Sequence, residues 1–287
     1  MSLLDQLVES DFVKINRSPD FDHFQSIEGL GEASSIPLDC RDLAASFASL
    51  RLKACTIYLQ RTFPRILQVQ YSTTGAIVGL LMDDAASLIL NGAEARAPAF
   101  LLVRGSAKCE IVEQHPNLVA FVNFDSIDDR GWPGKLDHAR VIATEPAKFE
   151  ALRTTLRDVL ILASHSPDTL VQPDVIESIE ESILQAVDLA MAAASPASDA
   201  RRLSLSHYLA LVRKFDEFVA ANAGKTLYSA DVARQLGVSV RTLHNAVVAI
   251  RGMSMHRYMR LRRLWSVRQQ LLRGAAPQSI KAVALVN

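Results

Sequence analysis

The chain has 287 residues, of which 49% are hydrophobic, enough for two globular domains with buried cores. Its three cysteines, Cys40, Cys55 and Cys109, lack paired spacing, which argues against a disulfide framework or a cysteine zinc site and predicts buried thiols. The acidic start is untypical of a secretory signal, and no run approaches the roughly 18 apolar residues of a membrane span. We therefore expect a cytoplasmic protein with no membrane partner.

The formal charge is zero overall, but it is unevenly distributed along the chain. From Arg201 onward, fifteen lysines and arginines face three acidic residues, a balance of +12, so the rest of the chain carries −12. A solvated basic surface would normally be interspersed with acids. This asymmetry instead predicts a polyanionic partner, such as DNA, for the C-terminal part.

The first half of the chain predicts a small helix and then an antiparallel β-structure. A short amphipathic helix is expected at Leu3 to Val8. Asn91-Gly92 suits a type I′ hairpin, in which both central residues need a positive φ. From Leu52 to Phe124, short apolar or alternating runs separated by turn residues are typical of a sandwich or barrel. The predicted strands are 53–59, 65–71, 76–82, 87–90, 100–103, 109–113 and 118–124.

Two helices are predicted after the strands, within about 146–194. The first spans Lys148 to Ala163, and the second begins at Pro173, which is tolerated in a first helical turn. The second helix has an apolar stripe that either packs on the sheet or pairs with the same helix of a second subunit. The stripe consists of Ile176, Ile179, Ile183, Val187 and Met191.

The composition of the segment after these helices suggests a domain boundary. Residues 195–204, SPASDARRLS, have linker composition and coincide with the change in charge. We therefore predict an α+β multidomain chain. Its parts are an N-terminal domain at 1–195 with an antiparallel β-barrel at about 52–124, a linker at 196–205, and an all-α domain at 206–287.

Within the C-terminal domain, the spacing of residues 228–252 predicts a helix-turn-helix, preceded by a helix at about Ser206 to Asn222. Ala233 is small where two helices would cross, and Gly237 suits a left-handed helix end. Ser239 is a suitable cap for the second helix. Its buried stripe is predicted to be Leu243, Val247 and Ile250.

The opposite face of the second helix carries side chains suited to reading bases. This face is formed by positions i, i+3, i+4 and i+7, which are Arg241, His244, Asn245 and Val248. Arginine can donate twice to guanine, and asparagine can bond adenine in bidentate fashion. We predict these four residues as base contacts in a major groove. The alternative is an ordinary helical hairpin within a larger bundle, which the basic surroundings disfavour.

The next helix, from a Ser254 cap through Leu272, is rich in arginine and predicts contacts to phosphates. Such contacts add affinity and salt dependence but little sequence information. Neither a cofactor nor a metal is expected. The predicted phosphate contacts are Ser239, Thr242, Arg251, His256, Arg257 and Arg260.

Three runs of this domain form a pattern in order and spacing: GVSVRTLHNAV at 237–247, GMSMHRYMRLRRL at 252–264 and SIKAVALVN at 279–287. The pattern resembles the DNA-binding domain of the AraC/XylS family of bacterial regulators. The resemblance extends from about residue 206 to the end. It implies two helix-turn-helix units joined by a long helix, with base contacts at Arg241, His244 and Asn245. It further implies a homodimer that binds promoter DNA, RNA polymerase as a partner, and a cupin-like N-terminal domain that binds a small-molecule effector or dimerises.

The sequence departs from the family pattern in one respect. The segment 279–287 matches the start of the second helix-turn-helix, and the two helices that normally follow are not in the sequence. We therefore expect the DNA-binding domain to be incomplete. This leaves open the alternative of a ligand-binding or dimerisation module that no longer binds DNA productively.

A cupin-type enzyme is a further alternative that the residues disfavour. Its metal would need clustered ligands on adjacent strands, whereas the N-terminal histidines are widely spaced. Ser164, His165 and Asp168 have the residue types of a catalytic triad, but neighbours in a loop do not adopt triad geometry. We therefore predict no enzymatic activity. The histidines in question are His23, His115, His138 and His165.

Overall fold

The computed structural model describes residues 2–18, 31–39, 45–127, 130–133, 139–194, 199–222 and 227–272. The chain divides into two compact units, Met1–Leu90 with Glu94–Ala197 and Ser198–Asn287 with Asn91–Ala93. The first contains an antiparallel sheet with helices, and the second is helical. This arrangement confirms the predicted α+β fold class. Among the helices in the described residues of both units, none combines the length and apolar character of a membrane span.

The first unit is built on a ten-stranded sheet whose strands follow the order β1-β3-β4-β9-β5-β8-β6-β7, with β2 on β5 and β10 on β8. The described strand pairs are antiparallel, as predicted. The elements are α1 (Leu3–Gln6), β1 (Val13–Ser18), β2 (Gly31–Pro37), β3 (Ala45–Arg51), β4 (Cys55–Arg61), β5 (Arg65–Leu81), β6 (Ser87–Leu90), β7 (Ala93–Arg96), β8 (Ala99–Glu113), β9 (Leu118–Phe124), β10 (Arg140–Ala143), α2 (Pro146–His165), a 3₁₀ helix (Pro167–Val171) and α3 (Pro173–Ala192).

Strands β5 and β8 are each longer than predicted, because an irregularity in the sheet resembles a turn in the sequence. Each was expected as two strands, but β5 continues through a register shift between Ser72 and Ala76. In β8, Gly105 has a φ of 78° and the strand continues past it. A β-carbon on Gly75 of β5 would lie 2.2 Å from the carbonyl oxygen of Phe124 in β9, so only glycine fits where β5 and β9 approach.

The prediction is most accurate for the regular strands and the hairpin. Strands β6 and β9 have the expected bounds, and β4 lies two residues later than expected. Asn91 and Gly92 have φ values of 49° and 83°, which confirms the positive φ that a type I′ turn requires. Strands β1, β2, β3, β7 and β10 were not predicted. In β3 the buried residues include Ala45 and Ala48, which are too small to give a clear apolar alternation.

The helices α2 and α3 pack on the core of the first unit. Ile183 and Val187 of the predicted stripe are buried there, and Ile176, Ile179 and Met191 are partly buried against the same core. Of the two explanations for the stripe, packing on the unit's own core is therefore the observed one. Cys55 and Cys109 are buried, as expected, and burial raises the pKa of Cys55 to about 12. Cys40 lies outside the described residues.

The second unit consists of α4 (Asp199–Ala221), α5 (Ser229–Gln235), α6 (Val240–Arg251) and α7 (Met255–Leu272). Helix α6 packs against the other three. The helix expected from Ser206 begins at Asp199, so most of the predicted linker at 196–205 is helical. Beyond Pro196 this segment has no glycine or proline to prevent a helix, which explains the difference. The segment 279–287 lies outside the described residues.

Candidate nucleic-acid interface

The turn between α5 and α6 has the geometry that the sequence predicted. Gly237 has a φ of 68°, in the left-handed region where glycine is favoured. The Gly237 N–H donates to the carbonyl oxygen of Arg234 at 3.2 Å, and the Val238 N–H donates to that of Ala233 at 3.0 Å. This pair of bonds is the Schellman arrangement, which ends one helix and redirects the chain into the next.

Helix α6 begins with a side-chain cap and buries one face. The Ser239 hydroxyl oxygen accepts from the Thr242 N–H at 3.0 Å, which confirms the predicted cap. Leu243, Val247 and Ile250 are buried, as predicted, and Ala233 of α5 is buried too. The compact pair of helices required by a helix-turn-helix is therefore present.

The opposite face of α6 exposes the four side chains predicted to contact bases. Arg241, His244 and Asn245 are exposed, and Val248 is 42% exposed. Among the described residues, neither a hydrogen bond nor an ion pair engages Arg241, His244 or Asn245. With 12 residues the helix is ~18 Å long, and a B-DNA major groove, about 12 Å wide, admits a helix of this kind.

The start of α7 exposes three of the residues predicted to contact phosphates. The Ser254 hydroxyl accepts from the Arg257 N–H at 3.3 Å and caps the helix. His256, Arg257 and Arg260 follow and are exposed. The first turn of α7 contains no acidic residue, so its partial positive charge adds to that of Arg257 and Arg260.

The remaining predicted phosphate contacts divide into two kinds. Ser239 is exposed and Thr242 is half-buried, and their hydroxyl oxygens are 2.8 Å apart. Arg251 is fully buried, with 0% exposure, and its Nη2 donates to Asp216 Oδ2 at 2.5 Å. Because a buried, paired guanidinium does not reach a phosphate, the assignment of Arg251 to the interface has to be corrected.

The partners of Arg251 form a buried polar network that the sequence analysis missed. The Tyr258 hydroxyl donates to Asp216 Oδ1 at 2.5 Å, and the Arg251 guanidinium carbon lies 5.0 Å from the centre of the Tyr258 ring. Burial and the Asp216 carboxylate raise the pKa of Tyr258 above its usual value, so the hydroxyl stays a donor at neutral pH. The signal was present, because Arg251 follows Val247 by four residues and so lies on the buried stripe of α6.

Of the residues considered for the enzyme alternatives, Ser164 and His165 form hydrogen bonds to the N-terminal segment, and His23 and His138 lie outside the described residues. The Ser164 hydroxyl accepts from the Val8 N–H at 2.6 Å and donates to the Val8 carbonyl oxygen at 2.8 Å. His165 Nε2 lies 2.9 Å from the carbonyl oxygen of Gln6. These side chains fasten the N-terminal segment to α2. Within the described ranges, the acidic, histidine and cysteine side chains form no group of three that could bind a metal.

The first unit also contains a small apolar cavity, with a volume of about 30 Å³. This exceeds the roughly 10–15 Å³ that one water needs but is far below the roughly 300–1,000 Å³ of a typical ligand site. Gln60 lies opposite the lining residue Val119, is 2% exposed, and its Nε2 has no hydrogen-bond partner among the described residues. The cavity is lined by Gly79, Leu80, Leu81, Leu88, Leu90, Ala95, Ala99, Leu101, Ile111, Val119 and Phe121.

Comparison with known proteins gives structural matches at low sequence identity. No family model matches the sequence. The structure is similar to the AraC-like transcriptional activator CuxR, with 14% identity, a TM-score of 0.47, and coverage of 95% of this chain and 98% of that chain. It is also similar to ToxT from Vibrio cholerae, with 10% identity, a TM-score of 0.31, and coverage of 81% of this chain and 94% of that chain. At TM-scores below 0.5, neither similarity assigns a function to this chain.

Proposed function

We propose that this protein is a transcription regulator whose second unit binds double-stranded DNA in a sequence-specific manner. The observation that supports the proposal is the arrangement of α6. One face is packed into the core of the unit, and the other presents Arg241, His244 and Asn245 to solvent without partners among the described residues. A stable helix that exposes donors suited to base edges is the standard means of major-groove recognition.

The proposed contacts divide between bases and backbone. Arg241 would donate to O6 and N7 of a guanine, Asn245 would pair with an adenine, and Val248 would pack on a thymine methyl group. His244 would donate to a guanine or a phosphate. The phosphate contacts would come from Ser239 and Thr242 and from the start of α7, where His256, Arg257 and Arg260 are exposed. As a homodimer, the protein would bind two half-sites and present RNA polymerase with a fixed surface.

Phosphate contacts from α7 predict a strong salt dependence. Affinity for a DNA pool selected from random sequence by the wild-type protein would be measured by fluorescence anisotropy. Arg257 and Arg260 of each subunit, four charged contacts in the dimer, are expected to lower the affinity about 150-fold between roughly 50 and 200 mM salt. The triple variant His256→Ala, Arg257→Ala, Arg260→Ala should give a flatter slope of log affinity against log salt concentration, because it forms fewer phosphate contacts.

The control for the salt experiment is Arg213→Ala, which removes an exposed charge from α4 in the same unit. An equal loss of slope per arginine removed in this control would show that only the net charge matters. No binding even at low salt would reject DNA recognition and favour the alternative of a ligand-binding or dimerisation module.

We further propose that the first unit is the regulatory domain and binds a small, uncharged effector in its apolar cavity. The lining contains no charged side chain, so a charged ligand would be buried without a counterion. At about 30 Å³ the cavity is smaller than a metabolite, so the effector must displace lining side chains on entry. The unpartnered amide of Gln60 on the same face of the sheet favours a ligand with one hydrogen-bond acceptor.

A matched pair of probes tests the effector site. Acetophenone carries a carbonyl acceptor that toluene lacks, and we expect it to raise the unfolding temperature more. A ligand at about 100 times its Kd stabilises by roughly 2.7 kcal/mol. Ala95→Leu should abolish the rise in unfolding temperature with both probes, because it fills the cavity. Gln60→Leu should keep both rises but make them equal for acetophenone and toluene. This site would be contradicted if neither probe raised the unfolding temperature of the wild-type protein, or if Ala95→Leu showed the same rises as the wild type.

A further inference from the structure

One buried carboxylate connects three helices of the second unit. Asp216 of α4 is 6% exposed, and its two oxygens accept from different helices. Oδ2 accepts from Arg251 at the end of α6, and Oδ1 accepts from Tyr258 at the start of α7, both at 2.5 Å. Arg251 and Tyr258 are both fully buried, at 0% exposure. We call these three residues the buried triad.

The buried triad lies at the junction of the two helices to which the proposed DNA contacts belong. Only Gly252, Met253 and Ser254 separate α6 from α7, and Gly252 has a left-handed φ of 63°. Such a short connection fixes the distance between the helix ends but leaves their angle to be determined by packing. The triad supplies directional bonds across this junction, because each hydrogen bond requires a defined donor direction.

The chemistry of the triad is unusual for a contact that only adds stability. A buried ion pair must overcome the cost of removing two charges from water, and apolar side chains of similar volume often stabilise a core equally well. Apolar packing, however, tolerates rotation and sliding more readily than a carboxylate with two fixed donors. Asp216 is also one of only three acidic residues in the chain from Arg201 onward.

We propose that Asp216, Arg251 and Tyr258 are positioning residues for sequence discrimination. The triad holds α6 and α7 at the angle at which base contacts from Arg241 and Asn245 form together with phosphate contacts from the start of α7. This inference rests on the proposed DNA binding. It separates two properties: phosphate contacts give affinity for any DNA, whereas correct helix angles give preference for one sequence.

An apolar replacement of the triad distinguishes positioning from stability. The variant Asp216→Leu, Arg251→Met, Tyr258→Phe removes all three polar groups together and leaves no buried charge without a partner. We expect cooperative unfolding near the wild-type temperature. We also expect unchanged affinity for scrambled DNA, which has the base composition of the selected sequence in a shuffled order. The preference for the selected over the scrambled sequence should fall about tenfold, comparable to the loss of one bidentate base contact.

Two further variants complete the experiment. Tyr258→Phe alone removes one hydrogen bond and should reduce the preference by a smaller factor, which keeps the inference testable if the triple variant does not fold. Asp231→Asn alters an exposed pair with Arg234, 3.0 Å long, and should leave the preference unchanged. It serves as a control for a change of acidic charge in the same unit.

Each outcome has a defined meaning. Wild-type preference retained in both the folded triple variant and Tyr258→Phe would overturn the positioning role and leave the triad as a structural contact. Wild-type protein that binds DNA without any sequence preference, or that binds none, would overturn the proposed function itself. A lost preference with retained affinity for scrambled DNA and retained stability is the result expected from positioning.

Discussion

Replacing Arg241 and Asn245 together by alanine is expected to lower the affinity for the selected DNA sequence about 100-fold or more. Each bidentate base contact provides about 1 to 3 kcal/mol of discrimination, so the loss of two exceeds any other change at the exposed face of α6. Both side chains are exposed, and their removal should change the free energy of unfolding by less than about 0.5 kcal/mol. Affinity would be measured by anisotropy and stability by urea unfolding.

The control for this double variant is Arg234→Ala, Gln235→Ala. It removes one arginine and one side-chain amide from exposed positions at the end of α5, so it matches the change in charge and residue type. We expect a smaller loss that is equal for selected and scrambled DNA. If the α6 variant also lost affinity equally for both sequences, Arg241 and Asn245 would contribute only sequence-independent affinity and the proposed base contacts would be rejected.

The helix-turn-helix was predicted well because its determinants are local. Gly237, the Ser239 cap and the stripe of Leu243, Val247 and Ile250 each act within a few residues, and their spacing is visible in the sequence. The burial of Arg251 was missed because its charge was weighed above its position on the stripe. Its partner Asp216 is 35 residues away in the chain, and sequence spacing does not indicate which distant side chains meet.

The sheet was predicted less completely because strand pairing is a long-range property. Single strands with large alternating residues, such as β9, are visible, but the bulge between Ser72 and Ala76 looks like a turn until its partner strand is known. The apolar cavity could not be predicted at all. Its lining comes from strands β5 to β9, and each lining residue alone is of an ordinary core type.

The buried ion pair in the sheet predicts the largest effect on stability. Arg65 Nε donates to Glu113 Oε2 at 2.7 Å, with side-chain exposures of 4% and 2%. Arg65→Met should destabilise the first unit by about 3–5 kcal/mol, because it leaves a carboxylate buried without its counterion. Thr62 and Asn117 also donate to Glu113, at 2.7 and 3.1 Å, but neutral donors do not replace the positive charge. Urea unfolding measures the difference.

The chain offers a matched control in an exposed arginine pair of the same unit. Arg51 lies 2.7 Å from Asp125 with exposures of 58% and 45%, and Arg51→Met should cost about 0–1 kcal/mol because water solvates the remaining carboxylate. The double variant Arg65→Met, Glu113→Leu should recover most of the loss, since it removes the buried charge together with its partner. Equal losses for Arg65→Met and Arg51→Met would mean that burial does not decide the strength of these pairs. The same reasoning governs Asp216 and Arg251, which is why their test uses apolar replacement of all three triad residues.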